Sequence, residues 1–85
     1  MKEFIYKISD ENGIHARPAG MLVKKAAEFE SKITIEKGDR NADAKKIFSV
    51  MTLGAKLGDE ITVKADGTDE NAAIEAMGEL LKENL

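Results

Sequence analysis

The segment Lys32-Ile33-Thr34-Ile35-Glu36-Lys37 sets Ile33 and Ile35 against Thr34 and Glu36, then meets Gly38-Asp39-Arg40-Asn41 before Ala42-Asp43-Ala44. A period of two places both isoleucines on one face of a strand, and a glycine-led turn sends the chain back beside itself. The expectation is an antiparallel hairpin with one apolar face, its second strand near Ala42 to Ala44. Strands of this kind need a cover on one side only. A parallel sheet buried on both faces is thereby excluded.

The same alternation recurs on either side of the hairpin. Lys2 to Ser9 puts Phe4, Tyr6 and Ile8 on one face and Ile5 with Lys7 on the other, and Glu60 to Ala65 turns Ile61, Val63 and Ala65 inward. Between the strands the period changes to helical. Ala16 to Phe29 carries Ala19, Leu22, Val23, Ala26 and Phe29 on one stripe, and Pro18 marks its first turn, where the missing N–H has no intrahelical partner to lose. Lys46 to Leu53 reads as a short helix closed by Gly54 in a left-handed cap. Ile47, Phe48, Val50, Met51 and Leu53 make it apolar nearly all round, so some of these side chains should stay on the surface. After Gly67, either Thr68 or Asp69 should cap a last helix with Ala73, Ile74, Met77, Leu80 and Leu81 as its stripe. The order β-α-β-β-α-β-α, with one-faced strands, gives an α+β two-layer open-faced sandwich. Its 85 residues, 1–85, leave room for a single domain and one site.

Composition narrows the chemistry. There is no cysteine, so disulfides, thiolate metal sites and cysteine nucleophiles are absent, and a reducing compartment fits. No apolar run approaches a membrane span and the first residues lack a signal-peptide pattern, so a soluble, intracellular protein is expected. The net charge of −3 argues against a non-specific nucleic-acid binder. Charge is nevertheless uneven: residues 1–56 carry eleven Lys/Arg against eight Asp/Glu, and residues 57–85 carry two against eight. The basic half could attract an acidic protein or a phosphate, or could be no more than an uneven solvated surface.

The single histidine stands in Asn12-Gly13-Ile14-His15-Ala16-Arg17-Pro18-Ala19, at the start of the first helix. Backbone N–H groups there lack intrahelical partners, the helix dipole is positive, and Arg17 adds a planar cationic donor. These features favour a bound anion and a neutral, nucleophilic imidazole. Gly13 lets the loop turn back tightly and Pro18 fixes the first turn, so the donors are set before a phosphate arrives. Singly, His15 could be an ordinary capping residue and Arg17 a surface cation. The combination is far more restrictive, since each member serves the holding of a phosphoryl group.

With its Gly13-Ile14-His15-Ala16-Arg17-Pro18-Ala19 string, the chain resembles the histidine-containing phosphocarrier proteins HPr of the bacterial phosphoenolpyruvate-dependent sugar phosphotransferase system. Ala44-Lys45-Lys46-Ile47-Phe48-Ser49-Val50-Met51-Thr52-Leu53-Gly54 and Gly58-Asp59-Glu60-Ile61-Thr62-Val63 extend the likeness. The resemblance implies three helices on one face of a four-stranded antiparallel sheet ordered 1-4-2-3. It further implies that His15 takes a phosphoryl group on Nδ1 from phosphorylated enzyme I and passes it to a sugar-specific enzyme IIA. Arg17 would steady that group, flanked by Ala16 and Pro18. Gly20, Met21 and Lys24, with Ile47, Phe48 and Met51, would form the docking surface for both partners, rimmed by Lys24, Lys45 and Lys46. Phe48 and Met51 could instead be ordinary core. The resemblance implies a cytoplasmic carrier rather than an enzyme, monomeric, without cofactor, metal, nucleic acid or membrane.

One departure matters. Many members carry a regulatory serine, phosphorylated by an ATP-dependent kinase, where this chain has Lys46. A lysine cannot take that phosphate, so this switch should be missing at residue 46. Two other readings stay open: a non-catalytic regulatory or protein-binding module of the same fold, and an unrelated small α+β enzyme such as an acyl-phosphate hydrolase. The latter lacks a second acid, base or metal cluster to activate water.

Overall fold

The computed structural model describes residues 1–85, in the order β1 (Lys2–Lys7), α1 (Ala16–Ala26), β2 (Lys32–Lys37), β3 (Arg40–Asp43), α2 (Ile47–Thr52), β4 (Glu60–Asp66) and α3 (Glu70–Asn84). The strands form one antiparallel sheet ordered β1-β4-β2-β3. Register explains the core directly: Phe4 lies opposite Val63 and Val63 opposite Ile35, while Tyr6 pairs with Ile61 and Ile33 with Ala65. All point to the helix layer. Ile33, Ile35, Ile61 and Val63 are fully buried there with Ala19, Leu22 and Ala26 of α1, Val50 of α2, and Ala73, Met77 and Leu81 of α3. Each such Ile or Leu contributes roughly 1.5–3 kcal/mol relative to exposure. The architecture is therefore the open sandwich expected from the one-faced strands.

Boundaries differ from the sequence expectation where local bonds override the pattern. The hairpin turn is only Gly38-Asp39, since Lys37 pairs with Arg40 and Glu36 with Asn41. Gly38 takes φ +60°, the geometry that matches a two-residue turn to strand twist, so β3 starts at Arg40 rather than Ala42. Helix α1 stops at Ala26, not Phe29: the Glu28 and Phe29 N–H groups bond three residues back, to Lys25 and Ala26, and the chain leaves in tight turns. Helix α2 is shorter by one residue at each end, with Lys46 and Leu53 as its flanking caps, and Gly54 (φ +66°) supplies the left-handed stop. Asp69 stands at the N-cap of α3, yet its carboxylate makes no bond to its own helix. It accepts instead from the Glu30 N–H (2.8 Å), the Ser31 N–H (2.9 Å) and the Ser31 hydroxyl, fastening α3 to the start of β2.

Candidate functional site

Gly13 fixes where the site stands. Its φ is +62°, and a Cβ there would fall on the Ala55 carbonyl oxygen and within 2.7 Å of Lys56 Cα, so only glycine lets the two backbones approach. The Ile14 N–H then bonds the Ala55 oxygen at 3.0 Å, and the buried Ile14 side chain pins the loop to the core. The opposing 54–59 loop is itself held. Lys37 Nζ donates to the Gly54 carbonyl (3.0 Å) and pairs with Asp59 (3.2 Å), whose carboxylate also accepts the Lys56 N–H at 2.8 Å. Those two donors, the Lys56 N–H foremost, hold the Asp59 carboxyl below the usual carboxylate range.

His15 is the N-cap residue of α1, in extended backbone (φ −107°, ψ −171°), and its carbonyl accepts the Ala19 N–H at 3.0 Å. Its side chain makes no cap bond, so the imidazole is free. The next two N–H groups, of Ala16 and Arg17, have no backbone partner, and Pro18 has none to offer. No acidic residue occupies the first turn. His15, Ala16 and Arg17 are exposed, Pro18 is buried, and no ion pair engages the Arg17 guanidinium. A shallow cleft of about 300 Å³ gathers His15, Arg17, Pro18 and Met21 with Asp10, Asn12, Glu83 and Asn84. It is open, polar and sized for a small anion.

Glu83 and Asn84 were not legible as site residues, being some seventy positions from His15. Backbone bonding brings them in: the Ser9 and Asp10 N–H groups (2.6 and 2.9 Å) and the Ser9 hydroxyl (2.9 Å) all donate to the Leu85 carbonyl oxygen. Asp10 also shapes the loop, its carboxylate accepting the Asn12 N–H at 2.9 Å and its carbonyl the Gly13 N–H at 3.0 Å. The turn cluster Asp10-Glu11-Asn12-Gly13 was the one sequence signal of that role.

The other expected surface residues lie along α1 and α2. Gly20 leaves room for Ile47 of α2, with an added Cβ 3.8 Å from its Cδ1. Phe48 is 79% exposed and so is not core, while Ile47 and Met51 are half-buried against it. Lys24 and Lys46 are exposed, but Lys45 differs from its sequence reading as a rim cation. Its Nζ is spent on the Phe29 carbonyl at 2.7 Å, bracing the end of α1. No group of His, Asp or Glu side chains has the arrangement of a metal site, and no helix is long and apolar enough to cross a membrane.

A family model described as the PTS HPr component phosphorylation site matches residues 2–83. Phosphocarrier protein HPr of Mycoplasma capricolum is 44% identical over 77 residues, covering 91% of this chain and 86% of that protein. Among solved structures, a Mycoplasma histidine-containing phosphocarrier protein gives a TM-score of 0.94 at 40% identity, over 96% of this chain and 93% of that one. HPr-C-His from Thermoanaerobacter tengcongensis gives 0.93 at 38% identity, over 98% and 93%.

Proposed function

The chain belongs to the HPr phosphocarriers of the phosphotransferase system, and we propose that His15 is its phosphoryl acceptor, loaded by phosphorylated enzyme I and discharged to an enzyme IIA. The observation that carries this reading is the open start of α1, where a free imidazole and an unpaired Arg17 line one cleft and the first two N–H groups of the helix have no backbone partner. The imidazole Nδ1 attacks phosphorus, the N–P bond forms, and the bond from phosphorus to its donor breaks. Charge on the moving oxygens is met by the Ala16 and Arg17 N–H groups and by the Arg17 guanidinium. Transfer onward reverses these steps onto the next protein. The imidazole is the one nucleophile in the cleft and stands beside anion donors, which suits a carrier that must hand its phosphate to a protein.

Docking of both partners falls to Gly20, Met21 and Lys24 with Ile47, Phe48 and Met51. The exposed Phe48 of α2 supplies an apolar anchor, and Lys24 and Lys46 draw acidic partners. The protein works as a monomer in the cytoplasm, residues 1–85 acting as one unit. At residue 46 an exposed lysine without a hydroxyl closes the serine-kinase route. Incubation with ATP and such a kinase should therefore leave the mass unchanged.

The test is intact mass and phosphorus NMR after incubation with phosphoenolpyruvate and enzyme I. Wild type should gain one acid-labile phosphate on an imidazole nitrogen, and His15→Ala should gain none while keeping its fold. Arg17→Ala should still be phosphorylated, on the order of 10²-fold more slowly, as for removal of one transition-state donor. No phosphate on folded wild type would refute the carrier and favour a non-catalytic binding module.

A further inference from the structure

Two ion pairs at the sheet are alike in geometry and exposure but not in what they hold. Lys64 Nζ lies 3.1 Å from the Glu36 carboxylate and Lys37 Nζ 3.2 Å from that of Asp59, and all four side chains are between 31% and 35% exposed. Pairs this open contribute little to stability by themselves. Lys64 and Glu36 engage only each other. Lys37, at the end of β2, also donates from Nζ to the Gly54 carbonyl at 3.0 Å, and Asp59, just before β4, also accepts the Lys56 N–H at 2.8 Å. Main-chain bonds complete this frame: the Asp59 N–H reaches the Lys56 carbonyl (2.9 Å), the Gly58 N–H the Ile8 carbonyl (2.8 Å) and the Ile8 N–H the Asp59 carbonyl (2.9 Å).

The Gly54 carbonyl and the Lys56 N–H belong to the two peptide groups that flank Ala55. A peptide group is planar, so a bond to one end of it orients the other end. The Lys56 N–H shares its plane with the Ala55 carbonyl, which accepts the Ile14 N–H at 3.0 Å and lies where a Cβ on Gly13 would fall. A carboxylate on that N–H also polarises the group and strengthens its carbonyl as an acceptor. His15 follows Ile14 directly, and since its side chain makes no cap bond, the aim of the imidazole rests on the backbone that carries it. Neither Lys37 nor Asp59 lines the His15 cleft. We infer that Lys37 and Asp59 are positioning residues for phosphoryl transfer, clamping both peptide planes beside Ala55 and, through its carbonyl, the Ile14-His15 backbone. The inference rests on the reading of His15 as phosphoryl acceptor, and it gives a distant ion pair a share in the rate.

Initial rates of phosphorylation by phosphoenolpyruvate and enzyme I, over a range of carrier concentrations and below the thermal transition of every variant, test this. Lys37→Met and Asp59→Ala should each lower kcat about tenfold, short of the roughly 10²-fold that a 1 Å misplacement costs. KM should stay within about twofold, because the docking residues of α1 and α2 are untouched. The double variant should be no slower than the slower single, since the two side chains act as one unit. Lys37→Arg should keep most of the rate. Lys64→Met, which breaks the matched pair, should keep all of it. By NMR the Ile14 N–H should exchange with solvent at least about tenfold faster in Lys37→Met and Asp59→Ala, and at the wild-type rate in Lys64→Met. Full rate in Lys37→Met or Asp59→Ala, an equal loss in Lys64→Met, a loss confined to KM, multiplied losses in the double variant, or unchanged Ile14 exchange would each overturn the positioning role while leaving the carrier intact. Wild type that takes no phosphate would overturn both readings.

Discussion

The starts of α1 and α3 are the same local structure put to opposite uses. At α3 both acids are spent internally: Asp69 on the Glu30 and Ser31 N–H groups and the Ser31 hydroxyl, Glu70 on the Gly67 N–H at 3.2 Å. At α1 there is no acid in the first turn, the cap side chain bonds nothing, and two N–H groups have no backbone partner where a histidine and an arginine line a cleft. A helix start whose carboxylates are fastened to neighbouring segments is a structural joint. One left open, beside a nucleophile and a cation, can receive an anion from outside.

The largest expected effect comes from Gly13, which places the open start. Gly13→Ala forces a left-handed φ on alanine and drives its Cβ into the Ala55-Lys56 backbone, costing about 3 kcal/mol in urea unfolding and most of the phosphorylation rate. Making α1 resemble α3 should separate stability from function. Ala16→Glu adds an acid to the first turn, raising stability by about 0.3–1 kcal/mol through the dipole. The same charge should slow phosphorylation at least about tenfold, the equivalent of 1.4 kcal/mol of repulsion in the transition state. An Ala16→Glu protein that is phosphorylated as fast as wild type would break the comparison.

At the α3 joint the effects should fall on stability alone. Ser31→Ala removes a buried hydroxyl from Asp69 and should cost about 1 kcal/mol by urea unfolding, with the phosphorylation rate unchanged. The smallest effect is one of pH. The Ser31 hydroxyl first, and the Glu30 N–H next, hold the Asp69 carboxyl below the usual carboxylate range, as the Lys56 N–H and Lys37 do for Asp59. Because the unfolded chain takes up protons near pH 4 while these folded carboxylates do not, their contribution is complete above that value. It should be lost as pH falls through the lower folded values. The melting temperature should stay level from pH 7 to about 5 and decline below 4, and in Ser31→Ala the decline should be shallower.

Strands with one apolar face were legible because Phe4, Tyr6, Ile33, Ile35, Ile61 and Val63 follow a strict period of two, and all six face the helix layer. His15, Arg17 and the turn glycine were legible because they lie within five residues, where spacing alone sets geometry. The end of α1 was not. The stripe continues to Phe29, but turns closed by Val23, Lys25 and Ala26 carbonyls end the helix first, and Phe29 reaches the core from outside it. Lys45 read as a surface cation because charge predicts solvation, and only the nearness of the Phe29 carbonyl turns it into a brace.

The sequence by itself determined the one-faced sheet, the helices that cover it and the histidine at a helix start, since each follows from periodicity or from neighbours along the chain. Tertiary structure alone decided that Glu83 and Asn84 line the His15 cleft and that Asp69 serves Ser31 rather than its own helix. These depend on groups brought together across tens of residues, and the free energy that brings them together belongs to the packed core, not to any local segment of the chain.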